Sequence, residues 1–485
     1  MSIAANYIYN ALYQLLLMII PFITVPYVSR VLGAEGVGIN AYTSSILQYF
    51  ALFGSIGIGL YAGRTVAYVR DDRKKLSKTF WSIFLLQASL CTVALIAYLI
   101  FTLFFIEKYK LIQLIQGLNL ISIAIDIGWL FVGIEDFKKL VVRSVVLRIL
   151  GVAAIFIFVK QPSDLWKYTA LSCVFGVLGQ AVMWIYLNQI VDSYKVSFRD
   201  AIGHFKPSLE LFIPQIAIQI YLVLNKTMLG VMANKQEVGF YESSDKIIKM
   251  TLALLTATGG VMLPRVANSF AKGELNKVEH YIYTTLSFVA YLGIPMIFGL
   301  IGISSKFVPW FFGGEFTRCI YLIIILSPII ILISLSNVLG FQYMIPTGKT
   351  REFTISVCVG AAVNLALNLI LIRKFYSIGA AAATVAAEAA VTGTQIYLLR
   401  KEIKMFVLNR KLVKYCAASL IMFVPISVLG YFLEASAATT VLQIVVGITV
   451  YIAALFFLKS DINSYIFKLA YNKLRKTLVK KEAGV

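Results

Sequence analysis

Leu85 to Phe105 reads LLQASLCTVALIAYLIFTLFF, a run without a single charged side chain. A helix needs about 20 apolar residues to cross roughly 30 Å of hydrocarbon, and this run supplies them on nearly every face. A transmembrane barrel strand would instead show about ten residues of alternating polarity. Ile320 to Phe341, IYLIIILSPIIILISLSNVLGF, repeats the pattern. Working outward gives fourteen such segments, at 8–29, 39–63, 80–105, 111–131, 140–159, 166–189, 208–231, 239–263, 279–303, 318–341, 353–372, 379–399, 415–433 and 440–458. With 60% of its 485 residues hydrophobic and 14% charged, the chain cannot hide its apolar surface in a water-soluble core. The expected fold is an all-α polytopic membrane protein of about 14 transmembrane helices.

Charge gives the topology. Most of the 44 Lys and Arg fall in the connections after segments 2, 4, 6, 8, 10 and 12 and in the tail from Lys459. The positive-inside rule then places both termini in the cytoplasm of a bacterial inner membrane. The densest clusters are Arg70, Arg73, Lys74, Lys75 and Lys78, and Arg400, Lys401, Lys404, Arg410, Lys411 and Lys414. They account for much of the net +21 charge and read as topology and anionic-lipid contact; dispersed over short loops, they do not form a nucleic-acid surface. No secretory signal precedes the first segment, since the first basic residue is Arg30.

Several chemistries are excluded. The connections are too short for a motor or a catalytic head, so no enzyme is expected. Cys91, Cys173, Cys319, Cys358 and Cys416 lack metal-ligand spacing. Gly348-Lys349-Thr350 resembles the end of a P-loop, but Tyr343 stands where the earlier glycine is required. His204 and His280 have no acidic or cysteine cluster beside them and read as interfacial residues.

An internal repeat appears at an offset of 201 residues: Gly38 corresponds to Gly239, Arg64 to Arg265 and Gln14 to Gln215. Six segments match six, in parallel topology. The expected organisation is an N-terminal six-helix lobe (1–200), a pseudo-symmetric C-terminal six-helix lobe (201–405), two further helices (406–458) and a basic cytoplasmic tail (459–485), the two lobes flanking a central cavity. Pro21, Pro26, Pro214, Pro295 and Pro328 favour local bends. Gly59, Gly63 and the run Gly379 to Ala390 favour close helix approach.

Charged residues inside a span cost several kcal/mol if they face lipid, so those present mark a cavity or a partner. Arg143 and Arg148 lie in segment 5 and Asp126 in segment 4, where Asp126 and Arg148 are either ion-paired or leave the arginine open to an anion. Gln215, Gln219 and Lys226 form one stripe on segment 7. Glu242, Asp245, Lys246 and Lys249 form i, i+4 pairs on segment 8. Asn10 and Gln14 form an amide stripe on segment 1, chemistry that suits sugar hydroxyls or interhelical bonds. Glu388, among alanines in segment 12, is a candidate for coupling to a proton or sodium ion, with Asp126 as a second.

Taken together, the connection VSRVLGAEGVG at 28–38, the stretch WLFVGIEDF at 129–137, Val238-Gly239-Phe240-Tyr241 and Leu263-Pro264-Arg265 resemble the Wzx-type oligosaccharide flippases of the multidrug/oligosaccharidyl-lipid/polysaccharide exporter superfamily. The resemblance spans the chain. It implies movement of undecaprenyl-diphosphate-linked repeat units from the cytoplasmic to the outer leaflet by alternating access, for capsule, antigen or exopolysaccharide assembly. A lipid-linked peptidoglycan-precursor flippase and a cation-coupled multidrug exporter are the alternatives. Arg30, Arg64, Arg143, Arg148 and Arg265, with Lys226 and Lys249, become the diphosphate candidates, because arginine gives bidentate contact. Asn10, Gln14, Gln215 and Gln219 become the glycan candidates. Implied partners are the lipid-linked oligosaccharide, membrane lipids, a polysaccharide polymerase and glycosyltransferases; a monomer is the default expectation, and the residue spacing leads us to expect no metal.

Overall fold

A computed structural model describes residues 3–256, 258–403 and 409–460; the tail beyond, and the side chains of Asn10, Gln14 and Gln215, lie outside the described residues. Those residues form helices with no β-strand among them. Among the described residues ten helices are long and apolar enough to cross a membrane. The chain divides into two compact units, Met1–Ser243 with Asn364–Ala380, and Ser244–Val363 with Ala381–Val485.

Helices α1 (Ile3–Ser55), α2 (Ile58–Val69), α3 (Arg73–Phe105), α4 (Lys110–Gln116), α5 (Leu118–Ala124), α6 (Gly128–Gly133), α7 (Phe137–Phe158), α8 (Leu165–Trp184), α9 (Phe198–Ile202) and α10 (Phe205–Met232) belong to the first unit. At 1.5 Å per residue, the 53 residues of α1 would run about 80 Å if straight, well beyond one bilayer. Gly33 breaks it, with φ 67° and ψ 176° that only glycine adopts without strain. Segments 1 and 2 therefore join through a kink rather than a loop. α16 (Thr350–Leu399) is bent in the same way at Tyr376, whose φ of 54° is costly for a residue with a Cβ. The buried Glu237 carboxylate offsets that cost, accepting from the backbone N–H of Ser377 at 3.1 Å and from its hydroxyl. A Cβ at Gly379 would lie 2.3 Å from the Leu371 carbonyl oxygen, so the two arms of α16 close tightly. A Cβ at Gly63 would lie 3.7 Å from Trp129 O and from Val132, whereas one at Gly59, expected to mediate packing, would meet nothing within 4 Å because it faces open space.

Two segments expected to be continuous are broken. Segment 2 stops at Ser55 and resumes at Ile58, with Ile56 and Gly57 both at positive φ. Segment 4 is divided among α4, α5 and α6. The second break frees backbone carbonyls at membrane depth, which is tolerated only where they find partners. Gln87 of α3 supplies most of them, its Nε2 donating to Ile123 O at 2.6 Å and to Asp126 O at 2.8 Å. Trp184 Nε1 donates to Ile125 O at 2.9 Å, and Trp129 Nε1 to Gln87 Oε1 at 2.9 Å. Around this point Phe80, Trp129, Leu130, Phe131 and Ile58 form the buried core of the unit.

The second unit holds α13 (Leu275–Phe311), α14 (Arg318–Leu326), α15 (Ile329–Ser336), a π-helix at Asn337–Met344, α17 (Asn409–Phe432) and α18 (Ala437–Phe457). Pro328 separates α14 from α15, as its missing N–H dictates. α17 and α18 dock on α13: a Cβ at Gly302 would meet Ile426 at 2.8 Å, and Tyr451 donates to Tyr291 O at 2.6 Å. α11 (Lys235–Thr256) begins in the first unit and ends in the second, where α12 (Thr258–Ala271) precedes α13.

Candidate functional site

Two cavities flank α5. The first, about 450 Å³, is lined by residues of α1, α5, α7 and α8, including Thr24, Ser122, Arg143, Arg148, Tyr168 and Gln180. Two arginines and no carboxylate contribute to its wall. Arg143 is partly buried and held in place: Nη1 donates to Gln180 Oε1 at 2.8 Å and Nη2 to Ser144 Oγ at 3.3 Å. Arg148 is exposed. The Asp126–Arg148 ion pair is not formed; Asp126 Oδ1 instead accepts from Gly128 N at 2.8 Å in the turn that breaks segment 4, and the cation whose field reaches it is Arg143. The break pulls Asp126 into a local turn, which an unbroken helix would not do.

The second cavity, about 460 Å³, lies between the end of α1, α2 and α10 and is lined by Gln48, Tyr49, Ser55, Gly57, Phe212 and Gln219 among others, with no charged side chain. Gln219 was expected at a glycan contact; Gln48, Tyr49 and Ser55 were not. The signal for them was the glycine spacing Gly54, Gly57, Gly59, which marks the helix break rather than the packing surface assigned to Gly59. At one end of this seam Ser208 Oγ donates to Ile56 O at 2.6 Å, and Tyr61 OH lies 2.7 Å from His204 Nδ1. Burial pushes the His204 imidazole pKa down, against the opposing pull of Asp200, so the ring is neutral at pH 7.

The remaining candidates lie apart from these walls. Arg30, just before the Gly33 kink of α1, Arg64, midway along α2, and Arg265, midway along α12, are exposed, Arg64 with its guanidinium 5.9 Å from the Tyr68 ring centroid. Lys226 ion-pairs with Glu242, both about 15% exposed or less, and Lys249 with Asp245 at 2.6 Å, so these two ammonium groups already face carboxylates. Glu388 is buried at 4% exposure in α16. In the second unit a cavity of about 520 Å³ is bordered by Lys349, Glu402 and Tyr343; Lys349 is bonded to Glu402 at 2.6 Å, which gives the lysine of the P-loop-like triplet a structural partner. No cluster of three metal-ligating side chains occurs among the described residues.

Broken helices, tight hairpin kinks and polar cavities at membrane depth define a polytopic membrane transporter fold. A family model described as "Polysaccharide biosynthesis protein" matches residues 3–270, and the chain belongs to that family. It is 27% identical over 418 residues, 85% of this chain and 98% of the other, to a protein of Escherichia coli strain K12 named "Putative O-antigen transporter". Its fold is similar to that of the lipid II flippase MurJ in an inward closed conformation, with TM-score 0.74 at 16% identity over 94% of this chain and 99% of that one. It also resembles an inward-facing multidrug resistance MATE transporter of the MOP superfamily, with TM-score 0.54 at 10% identity over 81% and 99%.

Proposed function

We propose that the protein flips undecaprenyl-diphosphate-linked oligosaccharide repeat units from the cytoplasmic to the outer leaflet of the inner membrane by alternating access. The observation that carries this reading is the arginine-walled, carboxylate-free cavity at membrane depth. A diphosphate needs cations and bidentate donors, and Arg143 with Arg148 provides them. The charge-free cavity with Gln48, Tyr49, Ser55 and Gln219 suits sugar hydroxyls, which take hydrogen bonds from amides and stack on aromatic faces. A polyprenyl tail stays in lipid throughout. The same wall disfavours a cationic drug, which would select carboxylates.

The reading includes fourteen transmembrane helices with both termini cytoplasmic, six-helix lobes at 1–200 and 201–405, and an appended pair at 406–458. The kinks at Gly33 and Tyr376 support that count, since they divide helices of 53 and 50 residues each into two arms of spanning length. Arg30, Arg64 and Arg265 serve as entry and exit contacts, and the chain works as a monomer that hands its cargo from glycosyltransferases to a polymerase. The test is the leaflet in which lipid-linked oligosaccharide accumulates on depletion, read with an impermeant glycan probe on intact and opened spheroplasts. Inner-leaflet accumulation reversed by re-expression is expected. An unchanged distribution, with a compensating flippase ruled out, overturns the assignment; accumulation of a peptidoglycan precursor instead selects the second flippase reading.

Glu388 is proposed as the ion-coupling group, with Asp126 held in its turn as a structural residue. A carboxylate kept at 4% exposure inside a spanning helix marks either a structural pairing or a transport site, and the second is the role proposed. Glu388→Gln is expected to lower export about tenfold and to remove its response to a collapsed proton or sodium gradient at unchanged abundance. Export that keeps its gradient response would remove Glu388 from coupling.

A further inference from the structure

The two cavities of the first unit are nearly equal in volume and opposite in chemistry. One carries Arg143 and Arg148. The other takes its wall from Gln48, Tyr49, Ser55, Phe212 and Gln219 among others, with no charged side chain among the described residues. Its neutrality extends beyond the wall itself. The stretches that supply it are Gly36 to Gly63 on α1 and α2, Leu118 to Ile125 around α5, and Leu211 to Asn225 on α10, and none of them contains an Asp, Glu, Lys, Arg or His. Turning any of these helices about its axis therefore brings no cation into the cavity.

The wall is polar all the same. Gln48 and Gln219 are exposed, and an amide both donates and accepts, as does a hydroxyl such as Ser55. Gln48 Nε2 also reaches Ser44 Oγ at 3.3 Å, which steadies that amide on α1. Such groups match the hydroxyls of a neutral sugar one for one. A sugar carboxylate in the same place gives up its water and meets no cation, a loss that only an ionic partner offsets. The position of the cavity says which sugars are screened. Ser122 lines the arginine cavity and its neighbour Ile123 lines the charge-free one, on successive Cα atoms about 3.8 Å apart. A diphosphate held by the two arginines thus brings the sugars joined nearest to it, rather than distal ones, to the neutral wall.

We propose that this cavity selects cargo whose first sugars are uncharged, rejecting hexuronates and other acidic sugars at those positions while leaving distal ones unconstrained. The inference rests on the flippase reading, whose cargo class it narrows. The test reconstitutes the full chain in liposomes with undecaprenyl-diphosphate probes bearing a neutral hexose, a hexuronate, or a neutral oligosaccharide that ends in a hexuronate. Periodate added outside cleaves the ring diols of all three and reads their transbilayer distribution. The wild type is expected to move the hexose probe about tenfold faster than the hexuronate or more, and the end-charged probe within about twofold of the hexose. Gln219→Lys puts a cation in the wall and is expected to cut that preference several-fold; Gln48→Lys, on the other helix, is the second variant. Equal rates for hexose and hexuronate, or a preference that neither variant changes, overturn the selection. Maleimide labelling of Gln219→Cys, in a chain whose five native cysteines are replaced, decides the point without transport. A short-chain prenyl-diphosphate hexose is expected to slow labelling several-fold and the matching hexuronate to leave it unchanged; equal protection, or none, overturns the proposal. A chain that moves neither probe yet shows hexose-selective protection refutes the flippase reading and keeps the selection.

Discussion

Arg143→Ala is expected to lower export of surface glycan about 10- to 100-fold at normal membrane abundance. A hydrogen bond to a charged group contributes about 1.5–3 kcal/mol, and each 1.36 kcal/mol lost from the barrier side is about tenfold in rate. Arg143 meets the conditions for the upper part of that range. It is partly buried, its guanidinium is fixed by Gln180 and Ser144, and the wall it joins has no carboxylate to compete with an anion. Arg143→Lys keeps the charge but loses the planar fork, so it is expected to recover part of the activity only. Arg148→Ala should cost less, because that side chain is exposed and pays more to be ordered by the substrate. Arg64→Ala, at an exposed position midway along α2, is expected to stay within about twofold, as exposed charges contribute little. Wild-type export by Arg143→Ala would remove this cavity from the head-group path.

The contrast between these arginines shows what the sequence carries and what it does not. Apolar runs such as 85–105 specify a spanning helix by composition alone, and α3 ends at Phe105 as that run does. Depth along a segment is legible too, which is why Arg143 and Arg148 stand out in the sequence. Breaks were not. The helix interruption at Asp126 depends on Gln87, about 40 residues away in sequence, and no local pattern announces a distant amide that will satisfy freed carbonyls. Once the helix breaks, Asp126 turns onto Gly128 and the imagined pairing with Arg148 is lost. Lys226 tells the same story, since its partner Glu242 sits on the next helix and only the fold brings the two together. The repeat was legible as a few matched glycines; that Gly38 and Gly239 touch each other was not, because an offset gives correspondence and says nothing of proximity.

Gln87→Leu is expected to destabilise the first unit by about 3 kcal/mol, since Asp126 O and the buried Trp129 indole N–H lose their Gln87 partner at about 1–3 kcal/mol each, while Ile123 O keeps the Asp126 N–H. The side chain is 3% exposed and serves four groups at once: Ile123 O, Asp126 O, the more distant Ala124 O at 3.4 Å and the Trp129 indole N–H. Leucine has similar bulk, so the loss reports the hydrogen bonds rather than a void. Gln87→Glu separates the roles, because a carboxylate accepts from Trp129 and cannot donate to the carbonyls. The measurement is the aggregation temperature in detergent together with membrane abundance. A wild-type temperature for Gln87→Leu would mean that water from the neighbouring cavities reaches those carbonyls, which is physically open to them because Ser122 lines one cavity and Ile123 the other. That same adjacency makes the substitution a test of function. α5 is the wall between the arginine cavity and the charge-free cavity, and Gln87 is what fixes its end. If the two cavities hold the charged and sugar parts of one cargo, export by Gln87→Leu should fall further than abundance does, and the excess measures how closely the wall must be placed.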